Sequence, residues 1–194
     1  MPLIERSDSL LVVVDAQPGF YARGADRGSD DEAGARSVAA WLAGVATALD
    51  VPAVVTEEDP PRNGSTDAAI MHRLAPGTRA HVKPVFGLAD VPEILAAVKA
   101  TGRRTTVIVG CETDVCVTQS AIGLLDRGFR VVVVSDATFS PGAMHELGLA
   151  RIRDAGGEIS HAKAVYYDWI RTLDAAIRFE AENPDLASPP GFSL

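Results

Sequence analysis

The sequence predicts an α/β fold: one domain with a doubly wound, mostly parallel, six-stranded sheet and helices on both faces, as in a Rossmann-like three-layer sandwich. Continuous apolar runs, typical of strands buried on both faces, recur along the chain. Segments with apolar residues at helical spacing separate these runs, as expected when parallel strands are joined by helical crossovers. Neither an internal repeat nor a linker interrupts the alternation, and 194 residues suffice for one domain with a full core.

The elements of the first half follow in order. The apolar run 10–14 is the first predicted strand, and a helix is predicted over 32–49, where apolar residues recur at helical spacing. A short strand is predicted over 52–56. A loop is predicted after it, because two prolines prevent the strand from continuing. A weaker strand over 81–83 and a helix over 92–100, with proline near its first turn, complete this half.

The second half continues the same alternation. Strands are predicted over 105–110, 130–134 and 159–164. Helices are predicted over 115–126, 141–154 and 168–181, the second with Ser140 as its N-cap. We therefore expect one domain over 1–182 and a proline-containing C-terminal arm over 183–194.

Charge and composition exclude several classes of partner. The net charge of −8 provides no basic patch for phosphates, so we expect no nucleic-acid partner. No apolar stretch approaches the ~20 residues that span a bilayer, and the N-terminus lacks the pattern of a signal peptide, so we expect a cytoplasmic protein without membrane contact. Two cysteines, Cys111 and Cys116, lie too close in sequence to cross-link a fold and are expected to be free thiols.

Chemically useful side chains follow several predicted strands. Asp15 follows the first strand, Lys83 ends the third, and Cys116 lies just after the fourth. Because ligands bind beyond the carboxyl ends of parallel strands, we expect these three residues to meet there. In the first helical turn, backbone N–H groups and Lys83 would lower the pKa of the Cys116 thiol and hold an oxyanion, while Asp15 accepts the thiol proton.

Other motif classes are absent from the sequence. No Gly-x-Gly-x-x-Gly follows the first strand, and neither a P-loop nor a Gly-x-Ser-x-Gly turn is present. A phosphatase of the Asp-x-Asp type would need a second aspartate where Gln17 stands. The sequence therefore gives no reason to expect a cofactor.

Four segments resemble the isochorismatase-like cysteine hydrolases, a family that includes nicotinamidases, carbamoylsarcosine-type amidases and isochorismatases. They are the segment 13–20, Lys83 with Phe86 close after it, the segment 110–117, and the segment 135–138 with His145 in the next helix. The most specific is the nucleophile turn, which reads Gly-Cys-Glu-Thr-Asp-Val-Cys-Val. The resemblance covers about residues 10–164.

The resemblance implies a mechanism as well as a fold. It implies a catalytic triad of Asp15, Lys83 and Cys116, and a cis peptide before Glu112 that aims the N–H groups of Glu112 and Cys116 at an oxyanion. The implied reaction is attack of the thiolate on an amide-like carbonyl of a small molecule, followed by hydrolysis of a thioester. Phe20 and Phe86 are candidate pocket walls.

The sequence departs from the family pattern at one place and leaves two alternatives open. The zinc-binding members carry histidines after the second strand, where this chain has Glu57, Glu58 and Asp59, so we expect no metal. Isochorismatases cleave a vinyl ether without a thiol nucleophile, which leaves ether hydrolysis open. A binding or regulatory protein on the same fold is the second alternative. Because oligomers are common in the family, the aromatic cluster 166–169 is a candidate contact between copies in a homo-oligomer.

Overall fold

A computed structural model describes residues 2–22 and 30–194. Its strands form one parallel six-stranded sheet in the order β3-β2-β1-β4-β5-β6. The strands are β1 (Ser9–Val14), β2 (Ala53–Glu58), β3 (Ala80–Lys83), β4 (Thr105–Cys111), β5 (Arg130–Phe139) and β6 (Glu158–Ser160). The predicted parallel, doubly wound sheet is confirmed.

The helices of the described residues cover both faces of this sheet. They are α1 (Pro18–Ala22), α2 (Asp30–Ala48), α3 (Pro60–Asn63), α4 (Ala68–Met71), α5 (Pro92–Ala100), α6 (Thr118–Leu125), α7 (Met144–Asp154), α8 (Ala162–Ile170) and α9 (Leu173–Glu182). Helices α2, α8 and α9 pack on one face, and α5, α6 and α7 pack on the other. None of the helices in the described part of the chain has the length and apolarity needed to cross a bilayer.

The apolar runs of the central strands are explained by burial on both faces. Along β1, Leu11 and Val13 belong to the core beneath α2, while Leu10, Val12 and Val14 belong to the core beneath α5 and α6. Successive side chains of a strand point to opposite faces, so a strand between two helical layers needs apolar residues at every position.

Several element boundaries differ from the prediction. Strand β5 continues to Phe139, and β6 ends at Ser160, where α8 begins two residues later. Arg171, at φ +70°, ends α8 and separates it from α9, so the helix predicted over 168–181 is two helices. After α9, Leu186 is buried, and its carbonyl accepts a hydrogen bond from Trp41 Nε1 at 2.8 Å.

The direction in which the chain adds strands to the sheet reverses between β1 and β4. From β1 the chain continues to β2 on one side, and from β4 it continues to β5 on the other, which opens a crevice at the carboxyl ends of the two strands. Gly110 brings these ends together: its φ is +119°, and a Cβ there would lie 1.9 Å from the Val14 carbonyl oxygen. Only glycine fits this approach.

Candidate active site

Asp15 is positioned directly after β1, at the crevice. Its backbone is left-handed, with φ +45°, and its N–H donates to the Thr56 carbonyl oxygen at 3.1 Å. The carboxylate is fully buried and has two partners: Oδ1 accepts a hydrogen bond from Thr56 Oγ1 at 2.8 Å, and Oδ2 lies 2.6 Å from Lys83 Nζ. Both oxygens are therefore fixed in orientation.

Lys83 is the last residue of the edge strand β3, yet its side chain is completely buried. Besides its ion pair with Asp15, Nζ donates to the Val85 carbonyl oxygen at 3.0 Å. A buried ammonium needs such partners because the protein interior replaces its hydration shell poorly. An ordinary surface role for this lysine is excluded by its burial.

Cys116 lies in a π-helical turn, Thr113–Val117, that connects β4 to α6. The turn begins with an N–H···O bond from Val117 to the Glu112 carbonyl at 3.0 Å. Short π-helical turns are frequent at functional sites. The thiol is 2% exposed, and the Asp15 carboxylate and the Lys83 ammonium both lie near enough to shift its pKa, so the structure brings Asp15, Lys83 and Cys116 together.

The surroundings of the thiol raise its pKa, contrary to the expectation from the sequence. Burial raises the pKa of Cys116, and the Asp15 carboxylate raises it further, while Lys83 lowers it. Burial also raises the pKa of Asp15, and Lys83 opposes that shift. The sequence indicated a lowered thiol pKa because it showed the helical turn and the lysine but not the depth of burial.

Polar contacts from three elements hold the nucleophile turn. Thr118 Oγ1 donates to the Thr113 carbonyl oxygen at 2.6 Å, and Thr113 Oγ1 lies 2.9 Å from His145 Nδ1. Ser140 Oγ donates to Asp114 Oδ1 at 2.6 Å and accepts from the Asp114 N–H at 3.3 Å. Ser140 was expected to be a helix N-cap, but α7 begins only at Met144, and the hydroxyl binds the turn instead.

Close packing of α7 also constrains this turn. A Cβ on Gly148 would lie 2.7 Å from the Cα and N atoms of Asp114. Such distances are shorter than real side chains allow, so the glycine lets the helix backbone pack directly against the turn. Sequence reasoning did not identify Gly148 or Thr56. Thr56 ends the predicted second strand and pairs with Val14, the residue before Asp15. Alignment of the two predicted strand ends could have indicated that Thr56 lies beside Asp15.

The Cys111–Glu112 peptide bond is cis, as the resemblance implied. It joins the end of β4 to the nucleophile turn. The role of the Glu112 and Cys116 N–H groups toward an oxyanion stays a prediction.

The three acidic residues after β2 have different surroundings. Glu57 is buried and accepts hydrogen bonds from Thr66 N and Oγ1 at 2.7 and 2.8 Å. Glu58 is half-buried at the site edge, and Asp59 is exposed at the start of α3. Over residues 2–22 and 30–194, no group of three or more His, Cys, Asp or Glu side chains is arranged to hold a metal ion.

The two predicted pocket walls have unlike environments. Phe20 is buried in a small cluster with Cys111 and Phe139, whereas Phe86 is 50% exposed. Their contribution to a substrate pocket stays a prediction. A cavity of about 930 Å³ lies at the carboxyl end of β5, and its lining includes Asp136 and His161 but none of the three converging residues.

Comparison with protein families gives a match over most of the chain. The model of the isochorismatase domain matches residues 9–164. The chain is 32% identical over 152 residues to the secreted isochorismatase effector Isc1 of Phytophthora sojae, which covers 76% of this chain and 68% of that protein. It is 33% identical over 136 residues to isochorismatase domain-containing protein 2 of Bos taurus, covering 69% of this chain and 64% of the relative. The chain thus spans about two thirds of the length of these curated relatives.

The folds of two solved structures superpose on nearly the whole chain. The MAR1 ribonuclease of Caenorhabditis elegans superposes with a TM-score of 0.84 at 25% identity and covers 100% of this chain and 98% of that one. YcaC from Pseudomonas aeruginosa, solved with hexane-2,5-diol and covalent acrylamide, gives 0.82 at 27% identity and covers 95% and 94%.

Proposed function

The chain belongs to the isochorismatase-like hydrolase family, and from this premise we propose that it hydrolyses an amide-like C–N bond of a small molecule with Cys116 as the nucleophile. One observation carries the proposal: the Cys116 thiol lies beside a carboxylate that is paired with a fully buried ammonium. A binding protein has no need for a reactive group held by a buried ion pair, whose burial costs several kcal/mol per ion.

In the first half of the proposed reaction, the substrate carbonyl carbon is attacked by Cys116 Sγ while Asp15 takes the thiol proton. The raised pKa of Asp15 suits this role, because a base with a pKa closer to the working pH can both accept and return a proton. The N–H groups of Glu112 and Cys116 would stabilise the oxyanion. Asp15 then gives the proton to the leaving nitrogen, the C–N bond breaks, and an amine or ammonia leaves with a thioester remaining on Cys116.

In the second half, water attacks the thioester. Asp15 accepts a proton from the water, the C–S bond breaks, and Asp15 returns the proton to Cys116 Sγ, so that the carboxylic acid product leaves and the thiol is restored. Lys83 acts throughout as the positive charge that holds the Asp15 carboxylate in place and offsets its burial. Thr56 fixes the other oxygen of that carboxylate.

The P. aeruginosa YcaC structure shows that a similar protein forms a covalent bond with a small amide. It contains covalent acrylamide, a small amide-bearing electrophile of the kind that thiols attack, in a protein 27% identical to this chain. By analogy, we expect the crevice at Cys116 to admit uncharged molecules of that size. A homo-oligomeric assembly and a cytoplasmic location are further parts of the proposal, and sedimentation and cell fractionation test them.

The experiment is an ammonia-release screen of small amides with three proteins. The wild type and Cys111→Ala should release ammonia from at least one amide, whereas Cys116→Ala should lose the activity by at least a thousandfold. Cys111 is the matched control because it is also a buried cysteine outside any disulfide, five residues away. Turnover that survives in Cys116→Ala would favour thiol-independent hydrolysis, such as that of a vinyl ether.

A further inference from the structure

Beyond the three converging residues, Glu58 is the charged group best placed to act on a substrate. It ends β2 and pairs with Lys83 across the parallel ladder. Paired residues of neighbouring parallel strands present their side chains on the same face of the sheet, so Glu58 shares its face with Lys83. Glu57 projects to the opposite face and is held there by Thr66.

The backbone of Glu58 is held on both sides by buried amides. Its N–H donates to Gln17 Oε1 at 2.8 Å. Its carbonyl oxygen accepts hydrogen bonds from Gln17 Nε2 at 3.1 Å and from Asn63 Nδ2 at 2.8 Å. Gln17 is completely buried and Asn63 is 2% exposed, so this is a rigid anchor rather than a surface contact. The Glu58 position relative to Lys83 is therefore fixed.

The carboxylate itself is only weakly engaged. Glu58 Oε2 lies 3.4 Å from Asn63 Nδ2, and the side chain is half-buried. Over the described residues, no basic side chain lies within 4 Å of it. Its negative charge also contributes to the raised pKa of Cys116, which places the charge within electrostatic reach of the sulfur.

The charge balance of the site follows from these contacts. Lys83 is neutralised by Asp15, and the raised pKa of Cys116 favours the uncharged form of the thiol. Glu58 then gives the crevice a negative charge that nothing nearby offsets among the described residues. A negative charge on a substrate, about 6 Å from the Glu58 carboxylate, would lower the occupancy of the site roughly tenfold at an effective dielectric constant of about 40.

We infer that Glu58 is a specificity-determining residue that admits neutral or cationic amides to Cys116 and rejects substrates that carry a carboxylate beside the scissile bond. The inference rests on the proposed function, because it assigns the substrate class of the same site. It also counts against isochorismate, which carries two carboxylates.

A pair of reagents that differ only in charge tests this without knowledge of the substrate. Iodoacetamide is neutral and iodoacetate is anionic, and both alkylate the same thiolate. The ratio of their two rates at Cys116 does not depend on the thiol pKa, because both reagents react with the same thiolate. Dividing it by the same ratio for free glutathione removes the difference in intrinsic reactivity between the two reagents. We expect this normalised ratio to be about tenfold in favour of iodoacetamide for the wild type, at low ionic strength and with the modified peptide identified by mass spectrometry.

Two variants assign the effect to one residue. Glu58→Gln keeps the shape and removes the charge, and its normalised ratio should fall to near one. Glu93→Gln makes the same change in net charge on an exposed helix and should retain the wild-type ratio. Cationic and anionic methanethiosulfonates provide the same comparison where the haloacetyl reagents react too slowly.

The outcomes separate this inference from the proposed function. A reactive Cys116 with equal normalised ratios in the wild type and Glu58→Gln overturns the role of Glu58 and leaves the nucleophile in place. A Cys116 that reacts with none of the four reagents overturns both, since a crevice closed to small electrophiles is closed to small amides.

Discussion

Lys83 Nζ lies 2.6 Å from Asp15 Oδ2, and neither side chain is exposed to solvent. Lys83 ends the edge strand β3, whereas Asp15 follows the central strand β1. Their contact places a full ion pair against the Cys116 thiol.

Removing the ammonium should cost both stability and activity. Lys83→Met leaves the buried Asp15 carboxylate without its cation, so the free energy of unfolding should fall by about 3–5 kcal/mol. Urea denaturation measures this loss. The double variant Lys83→Met, Asp15→Asn buries no charge and should recover much of the lost stability while remaining inactive. A double variant as unstable as the single one, or one that turns over substrate, would contradict this account of the pair.

The pH dependence of alkylation should reveal a raised thiol pKa. Because burial and the Asp15 carboxylate raise the pKa of Cys116, the thiolate fraction at neutral pH is below that of an ordinary thiol. The alkylation rate should therefore keep rising with pH beyond ~8.5 instead of reaching a plateau there. Mapping the iodoacetamide adduct at each pH gives the profile for Cys116 alone.

Asp15→Asn should separate ionisation of the thiol from catalysis. The substitution removes the carboxylate that raises the thiol pKa, while Lys83, which lowers it, remains. The alkylation profile should move to lower pH and the rate at pH 8 should rise, although turnover is lost with the base. A profile that moves to higher pH would show that the carboxylate does not oppose thiolate formation.

Packing of α7 against the nucleophile turn should be sensitive to one methyl group. The Cβ of Gly148→Ala would lie 2.7 Å from Asp114 Cα, so the turn or the helix must shift, at a cost of about 1–3 kcal/mol. Thermal unfolding and the Cys116 alkylation rate measure the two consequences. Gly34→Ala is the matched control, because a Cβ there meets nothing within 4 Å. Equal behaviour of the two variants would refute the proposed constraint.

The Ser140 hydroxyl should matter to the rate more than to binding. Ser140→Ala removes both hydrogen bonds to Asp114, so kcat should fall on the order of tenfold as the turn loses its orientation, with KM little changed. Steady-state kinetics on an amide identified by the screen measure both constants. Ser37→Ala removes an exposed hydroxyl whose bond stays within α2 and should have no effect. A rise in KM alone would place Ser140 in substrate binding instead.

Much of the fold was predictable because the sheet is buried on both faces. The run 10–14 had to be apolar at every position, and the order of strand-end residues placed Asp15, Lys83 and Cys116 at one edge. Boundaries were less predictable: the extension of β5 to Phe139 follows a register shift in its pairing with β4 between Ile108 and Gly110, which no local pattern reveals.

The electrostatics of the site could not be predicted from spacing. The direction of the Cys116 pKa shift depends on burial and on the Asp15 carboxylate, and both are consequences of tertiary packing. Likewise, Ser140 carries the residue type of a helix N-cap, but a contact with Asp114, 26 residues earlier in sequence, decides its role.

The most direct test of the central claim is to quench the enzyme during turnover of an amide substrate and map the acyl group by mass spectrometry. The account predicts an acyl adduct on the Cys116 peptide of the wild type and of Cys111→Ala, and neither adduct nor ammonia release with Cys116→Ala. Undiminished ammonia release by Cys116→Ala, with no adduct on Cys116 in the wild type, would contradict it.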